Sequence, residues 1–213
     1  DGFPDSELDY GQSMLCISLP AEEFHTVGQA WLLNRPEFYE SVLSSTIQSS
    51  LPEFSEIAIK HTHFDEPATN VSTITSSGGK AFTLFSKNAA WGMDLYNGLV
   101  SPHYDADTIC ETWENGVGQL QNYCTPTFKY NTHNIESYTV DGYTMFETKD
   151  HSKWALLDGH ESVCIGDINR MSSQFKRGGG TACFVSRSLS SDLKSNLVIW
   201  DTPPRGGCAS SAQ

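Results

Sequence analysis

Apolar side chains recur at helical spacing in the N-terminal third of the chain. Phe24, Val27 and Trp31 follow Pro20 with this spacing, so we predict a helix that opens at the proline. A second helix is predicted over residues 36–49, where another proline precedes an apolar face. Two further helices are predicted over residues 89–99 and 189–197.

Short runs of β-branched and aromatic residues predict strands in much of the remaining chain. These runs cover residues 12–19, 54–60, 72–75, 81–85, 109–113, 138–147, 154–157, 162–168 and 181–187. The turn sequence SSGG joins 72–75 to 81–85 as a β-hairpin, and residues 124–135 are predicted to be mostly loop. The pattern predicts the α/β class, as an α+β mixed sheet with helices packed on it. We expect one domain over residues 1–213, with a flexible tail over residues 202–213.

The composition adds a strong acidic balance to this picture. The chain has 26 acidic and 13 basic side chains, which give a formal net charge of −13, and 38% of its residues are hydrophobic. This hydrophobic fraction is sufficient for a core, and no apolar run reaches the about 18 residues that span a membrane. The first ten residues, DGFPDSELDY, are acidic, unlike the basic and then apolar start of a signal peptide. We therefore predict no membrane partner.

Basic side chains are concentrated in one part of the chain. Residues 149–187 hold six basic and four acidic side chains, whereas residues 1–148 hold five basic and 20 acidic ones. Overall acidity disfavours a nucleic-acid partner at neutral pH. Because histidines gain a proton near about pH 6.5 and carboxylates near about pH 4, an anionic substrate suits acidic conditions better.

The cysteines and one asparagine bear on the compartment. The six cysteines lie far apart and form no C-x-x-C pair, which favours disulfides in an oxidising compartment over a zinc site. Asn70 begins the one N-x-S/T sequence of the chain, in a polar stretch that we expect to be a surface loop. A glycosylated protein that is secreted or lysosomal is the expectation.

A pair of histidines provides a candidate metal site. His61, His63 and Asp65 follow the H-x-H-x-D order with which the metal site of metallo-β-lactamase-like hydrolases begins. Those enzymes continue with another histidine where this chain has Glu66, and we find no convincing later ligands. We therefore predict that no metal is bound, with a metal-dependent hydrolase using His61 and His63 as an alternative.

Two later motifs suit phosphate chemistry. His151 and Lys153 lie two residues apart, so their side chains point to the same side of a strand. An imidazole beside a fixed ammonium can act as a nucleophile or proton donor at a phosphate. The sequence from Arg177 through three glycines predicts a tight turn, whose backbone N–H groups are also able to hold an anion.

The order of these residues resembles a known catalytic pattern. His151-x-Lys153-x4-Asp158, followed by Gly166-Asp167-Ile168-Asn169, is similar to the H-x-K-x4-D and G-S-x-N motifs of the phospholipase D superfamily. The resemblance implies that the histidine attacks phosphorus or protonates a leaving oxygen. It also implies that Lys153 and Asn169 hold phosphate oxygens, while Asp158 tunes a histidine.

A narrower resemblance extends along nearly the whole chain. The segments DHSKW, CIGDINR and RGGGTAC, together with YGQSMLC, FSK and DLYNG nearer the N-terminus, resemble the deoxyribonuclease II family. This resemblance implies a phospholipase D-like fold and an acid endonuclease that needs no metal or cofactor. Such an enzyme cuts DNA to 3′-phosphate ends through a phosphohistidine.

The resemblance also suggests supporting residues. Asp150 or Asp167 is an alternative to Asp158 for orienting the imidazole, because the family does not always have an aspartate at the latter position. Trp154 is expected to pack near the site, with base stacking as a second interpretation. The other substrate-binding candidates are Arg170, Arg177 and Gly179.

The family's active site uses two H-x-K elements, and this chain has one. It therefore resembles the C-terminal part of a longer precursor, and we expect another chain of that precursor, or a second copy in a homodimer, to supply the second histidine. The resemblance implies disulfides Cys164–Cys183 and Cys124–Cys208, with Cys16 as the candidate for a bond to the missing part. Cys110 lies outside the family pattern and is either free, bonded to Cys16 or bonded to the other chain. A catalytically inactive secreted relative that binds DNA or a host protein is the alternative function.

Overall fold

A mixed sheet of nine strands organises the part of the chain that the computed structural model describes, which is residues 9–38, 41–60, 66–122 and 129–199. The strands are β1 Thr69–Thr75, β2 Ala81–Lys87, β3 Thr108–Glu111, β4 Thr132–Val140, β5 Tyr143–Phe146, β6 Trp154–Leu157, β7 Ser162–Gly166, β8 Gly179–Val185 and β9 Leu197–Ile199. Their order is β1-β2-β8-β7-β6-β3-β4-β5, and β9 pairs with β4. The β3–β4 pair is parallel and the others are antiparallel, which confirms the predicted mixed sheet.

Five α-helices accompany the sheet in the described ranges. They are α1 Phe24–Asn34, α2 Ser45–Ser50, α3 Pro52–Ala58, α4 Ser101–Tyr104 and α5 Arg187–Ser195. A π-helical turn, Tyr96–Val100, runs directly into α4, and 3₁₀ turns lie at Ala21–Glu23, Ala89–Trp91 and Ser172–Lys176. Among the described helices, none has both the length and the apolar composition of a membrane span.

The sheet is buried on both faces at its centre. The four side chains of β6 are all buried, and they alternate between two apolar clusters. Trp154 and Leu156 join Ile135 and the partly buried Leu193 of α5, whereas Ala155 and Leu157 pack in the other cluster, which includes the π-helical turn. A strand that is covered on both faces has a continuous run of apolar residues. The run WALL at residues 154–157 therefore predicts β6 correctly.

Several predicted elements are confirmed. The hairpin is formed by β1 and β2, the first helix follows Pro20, and α5 lies within two residues of its predicted bounds. The strands predicted near residues 109–113, 162–168 and 181–187 correspond to β3, β7 and β8.

Other predicted elements are wrong. Residues 54–60 were predicted as a strand but lie mostly in α3, because Pro52 occupies the first helical turn and Glu53 adds an acidic residue there. The second helix begins only at Ser45, where the Ser44 hydroxyl accepts a bond from the Ile47 N–H at 3.3 Å.

Three further predictions differ in detail. The predicted strand 12–19 is wrong, because these residues belong to no helix or strand. The predicted strand 138–147 is the hairpin of β4 and β5, which turns at Asp141 and Gly142 with φ of 50° and 80°. The predicted helix 89–99 is divided into the 3₁₀ turn and the π-helical turn.

Candidate active site

Five strand ends meet at one edge of the sheet. Because β2, β8, β7, β6 and β3 are successive antiparallel neighbours, the ends of β2, β7 and β3 lie beside the starts of β8 and β6. Segments far apart in sequence therefore come together there. They are Glu111–Trp113, His151–Lys153, Gly166–Asn169, Gly179 and Lys87.

The His151 imidazole lies between two aromatic rings at this edge. The ring of Tyr10 stacks on it, with a centroid distance of 4.1 Å and an interplanar angle of 12°. The Trp113 ring also contacts the imidazole, with a centroid distance of 4.4 Å and an interplanar angle of 57°. The backbone N–H of His151 also donates to the Gly11 carbonyl at 2.8 Å. These contacts hold both the backbone and the ring plane of the histidine.

The Asp150 carboxylate holds the residue that follows His151. Its carboxylate is fully buried and accepts bonds from the Ser152 N–H at 2.9 Å, the Ser152 hydroxyl at 2.7 Å and the Tyr138 hydroxyl at 2.6 Å. Gly11 packs directly on it, and a Cβ at Gly11 would collide with the carboxylate. Asp150 therefore supports the site by fixing the chain that carries His151.

Lys153 continues the site towards β7. Its ammonium donates to the His151 carbonyl, and its own carbonyl accepts the Gly166 N–H at 2.8 Å. Burial lowers the pKa of Lys153, although the nearby Asp150 carboxylate acts in the opposite direction. The structure thus brings His151 and Lys153 together.

Asn169 reaches the same edge three residues beyond the end of β7. The residue is buried, and its side-chain oxygen has no hydrogen-bond partner among the described residues. A buried amide oxygen without a partner costs about 1–3 kcal/mol. An amide oxygen accepts hydrogen bonds, as phosphate oxygens do, so this atom calls for a donor, and contact of Asn169 with phosphate stays a prediction.

Asp167 anchors the start of β8. Its Oδ1 accepts the Gly180 N–H at 2.7 Å, and its Oδ2 lies 3.5 Å from the exposed Arg177 guanidinium. Beneath this loop, the buried Lys87 ammonium donates to the carbonyls of Gln174 and Arg177, and burial lowers its pKa to about 8. The prediction that Asp167 orients the imidazole gains no contact here, because the carboxylate is bonded to β8.

The glycine run is not the predicted tight turn. Gly179 and Gly180 are strand residues of β8, and neither has a positive φ. A Cβ at Gly179 would overlap the Ile168 side chain, and one at Gly180 would overlap the Phe85 carbonyl oxygen. The two glycines therefore allow close packing of the backbone. The Gly180 N–H is already bonded to Asp167, so it is not open to an external anion.

Arg170 lies in the interior instead of facing substrate. Its side chain is fully buried, its Nε donates to Asp94 at 3.2 Å, and its Nη1 lies 3.9 Å from Glu114. It also donates to the Asn134 side chain and, at 3.1 Å, to the Gln121 carbonyl. A guanidinium enclosed in this way cannot reach a phosphate in solvent, so we assign Arg170 a structural role.

Trp154 is enclosed in the core, and Asp158 follows the far end of β6. Trp154 is 4% exposed and packs edge-on against Tyr138 at 5.1 Å, which agrees with packing and leaves no face for a base. Asp158 follows the opposite end of β6, roughly 16 Å along the strand from Lys153 at about 3.3 Å per residue. The structure does not bring Asp158 to His151.

The cysteines that the structure describes have different environments. Cys164 and Cys183 form a disulfide across β7 and β8, as predicted. Cys110 is a buried thiol in the core, where burial raises its pKa, and it cannot reach another chain. Cys16 is an exposed thiol. Asn70 lies in the edge strand β1 and is partly buried, so the expected surface loop is wrong.

Some predicted residues lie outside the described part of the chain. These are Cys124, Cys208 and the candidate metal ligands His61, His63 and Asp65. Within the described residues, no three His, Cys, Asp or Glu side chains are grouped so that they could hold a metal ion.

Sequence reasoning missed the residues that surround the imidazole from other segments. Tyr10 carried no chemical signal beyond its place in a family motif, and Trp113 was assigned to a strand although its φ is 40°. Glu111 is fully buried, and burial beside Asp150 raises its pKa to about 9. A carboxylic acid at the end of an apolar run was the one available signal for this residue.

Comparison with known proteins gives the family. The family model for deoxyribonuclease II matches residues 1–202. Plancitoxin-1 of Acanthaster planci is 36% identical over 191 residues, covering 88% of this chain and 52% of the relative. Deoxyribonuclease-2 of Caenorhabditis elegans is 35% identical over 190 residues (88% and 50%), and deoxyribonuclease-2-alpha of Rattus norvegicus is 32% identical over 187 residues (85% and 52%). The chain thus spans about half the length of these relatives, and it belongs to the deoxyribonuclease II family.

Proposed function

We propose that this protein is an acid, metal-independent endonuclease that hydrolyses DNA to 3′-phosphate ends. The observation that carries the proposal is the arrangement of His151 between Tyr10 and Trp113, with Lys153 and Asn169 at the same sheet edge. An oriented imidazole beside an ammonium and an amide is suited to a phosphate in transfer. The names of the relatives support a DNA substrate.

The proposed reaction has two steps. In the first, the nitrogen of one neutral imidazole attacks phosphorus, and the bond to the 5′ oxygen breaks as a second, protonated imidazole donates its proton to that oxygen. In the second, water attacks the phosphohistidine and gives a proton to the second imidazole, which releases the 3′ phosphate. One imidazole must be charged and the other neutral, and unperturbed histidines titrate near about pH 6.5, so activity is expected to rise on acidification.

The second histidine is proposed to come from another polypeptide. This chain has one H-x-K sequence, and the relatives are about twice as long as the matched segment. Another chain of the same precursor is the first candidate, with the exposed thiol of Cys16 as its attachment point, and a second copy of this chain is the other. Intact mass measured with and without reductant separates these cases. Full activity from a monomer of this chain alone would reject both.

Plasmid nicking at about pH 5 in the presence of a chelator tests the function directly. Native protein is expected to nick, and His151→Ala is expected to retain DNA binding while losing cleavage, because the substitution removes only the imidazole. Nicking that occurs without chelator and is lost when chelator is added would favour the metal-dependent alternative at His61 and His63. Native two-chain material that binds DNA without cutting it would favour the inactive binding protein, which the single H-x-K sequence supports.

The location follows the same proposal. The disulfide between Cys164 and Cys183 fits an oxidising compartment, and we propose that the protein is secreted or lysosomal. Glycosylation of Asn70 remains a prediction, which a mass shift on glycosidase treatment would reveal.

A further inference from the structure

A cleft of about 940 Å³ opens beside the candidate active site, between the end of α1 and the loop before β8. Three basic side chains line it: Arg35, Lys176 and Arg177, all of them exposed. Glu37 and Asp167 are the carboxylates in its wall. The chain has 13 basic against 26 acidic residues, so three cations at one cleft stand out from an otherwise acidic molecule.

One wall of the cleft lies next to Lys153, because Asp167 follows Gly166, whose N–H donates to the Lys153 carbonyl at 2.8 Å. Asp167 and Arg177 are 3.5 Å apart in the cleft wall, and the charges of both act on the Lys153 ammonium. The Asp167 N–H donates to the Gly180 carbonyl at 3.1 Å, which fixes this wall to β8. A chain of phosphates that passes Lys153 can therefore continue into the cleft.

Arg35 has an unusual backbone conformation for its side chain. It caps the C-terminal end of α1 with φ 52° and ψ 64°, and its N–H donates to the Trp31 carbonyl at 2.8 Å. Glycine is favoured at such a left-handed position, where a side chain costs roughly 1–2 kcal/mol. A residue kept in a costly conformation at a cleft is a reason to look for a function of its side chain.

We propose that this cleft binds DNA backbone phosphates next to the one that is cleaved, with Arg35 and Lys176 as contacts. The inference rests on the proposed nuclease function, because that function places a DNA strand at Lys153. Duplex DNA carries one negative charge per about 1.7 Å of its axis, so a cleft beside the cleaved phosphate faces further phosphates. Burial raises the pKa of Asp167, so acidification begins to neutralise this carboxylate and increases the net positive charge of the cleft.

The test measures binding of a short DNA duplex against salt concentration at pH 5, in chelator. His151→Ala serves as the background so that no cleavage occurs. Each lost phosphate contact lowers the steepness of log K against log salt by about 0.9, which corresponds to about eightfold weaker binding at 0.1 M salt. Arg35→Gly and Lys176→Gln are each expected to show this change. Thermal melting should show that Arg35→Gly remains folded, because glycine is favoured at the left-handed position.

Two matched variants remove the same charge elsewhere. Lys60→Gln and Arg187→Gln alter exposed residues outside the cleft, and their salt slopes should equal that of the parent. Equal slopes in all four variants would overturn the inference. Nicking by the wild-type protein reports separately on the proposed function. If the cleft variants change the salt slope but the wild-type protein does not nick DNA, the nuclease proposal is rejected and the DNA-binding cleft is kept. If the wild-type protein nicks DNA but the salt slopes are unchanged, only the cleft proposal is rejected.

Discussion

At the scale of single residues, the candidate site is built around one imidazole whose ring plane is set by its neighbours. Tyr10 stacks on one face of His151 and Trp113 contacts it from a different segment. Offset aromatic pairs are worth about 0.5–1.5 kcal/mol beyond the area they bury. That energy is enough to favour one ring orientation several-fold, which matters because attack on phosphorus requires an aligned nitrogen.

Replacing Tyr10 tests this positioning role. Tyr10→Leu removes the stack and is expected to lower kcat about two- to tenfold with little change in KM, whereas Tyr10→Phe keeps the ring and should remain close to wild type. Tyr143→Leu, at an exposed tyrosine of β5, is the matched control. Steady-state nicking rates at pH 5 provide the measurement. An equal loss in the Leu and Phe variants would instead assign the effect to the phenol hydroxyl.

A second residue-scale prediction concerns the buried acid Glu111. Its pKa is about 9 in the folded protein, mainly because of burial, against 4.5 in an unfolded chain. The folded state therefore holds a proton that the unfolded state loses between these values, so this residue makes stability fall as pH rises from about 4.5 to 9. At pH 7 the lost stability is on the order of 3 kcal/mol.

Glu111→Gln should remove this pH dependence. The amide is neutral at every pH, and its oxygen can still accept the Trp113 N–H, which lies 3.3 Å from the carboxyl oxygen. Urea unfolding should show the variant more stable than wild type at pH 7 and equal to it at pH 4. Glu22→Gln, at an exposed carboxylate, should change neither value. A variant that is less stable at both pH values would contradict the assignment of a protonated Glu111.

At the scale of elements, the start of β8 depends on the absence of side chains. Gly179 and Gly180 let β8 approach Ile168 and β2 closely, while Asp167 bonds to the start of β8 and Lys87 to the loop in front of it. This packing brings the loop before β8, which contains Arg177, beside the end of β7. The arrangement of the site thus follows from strand packing and needs no special turn.

Gly180→Ala tests how tightly this element is packed. The new methyl group would overlap the Phe85 carbonyl, so the strands must separate, at a cost of about 1–3 kcal/mol. Gly78→Ala is the matched control, since its nearest neighbour is the Ser76 hydroxyl at 3.8 Å and its φ is not positive. Chemical denaturation of both variants measures the difference. A Gly180→Ala protein as stable as the Gly78→Ala control would show that β8 and β2 can accommodate a methyl group at this position.

At the scale of the whole molecule, one buried cation connects distant segments. Arg170 joins Asp94, which precedes the π-helical turn, to Glu114 after β3 and Asn134 in β4. The carboxylates are buried as well, so each depends on the guanidinium for compensation of its charge. This network replaces the substrate contact that the family resemblance suggested for Arg170.

Arg170→Leu should strongly destabilise the fold. Removing one partner of a buried ion pair costs about 3–5 kcal/mol, because the remaining carboxylates have no countercharge. Unpaired buried carboxylates take up protons more readily, so the loss should be smaller at pH 5 than at pH 7. Arg187→Leu, which breaks the exposed pair with Glu161, should leave stability nearly unchanged, because solvent screens such a pair. Unfolding curves at the two pH values compare the variants, and a pH-independent loss would contradict this account.

The sequence by itself determined the parts of the protein that depend on local pattern. Neighbouring residues were enough to predict the turn between β1 and β2, the apolar strand β6 and the start of α1. They were also enough to single out the order of His151, Lys153 and Asn169. The prediction failed where a local signal was ambiguous. Residues 54–60 show alternation that suits a strand, yet the proline at position 52 and tertiary packing favour a helix.

Only the tertiary structure decided which side chains meet at the site. Tyr10 and Trp113 reach His151 from 141 and 38 residues away in the sequence. Trp113 follows β3, which ends beside the start of β6, and Tyr10 is placed by the backbone bonds of Gly11 to Lys149 and His151. It also decided that Arg170 is buried, since burial follows from how segments pack and not from residue type. Spacing along a strand can align His151 with Lys153, but only the folded sheet determines what surrounds them.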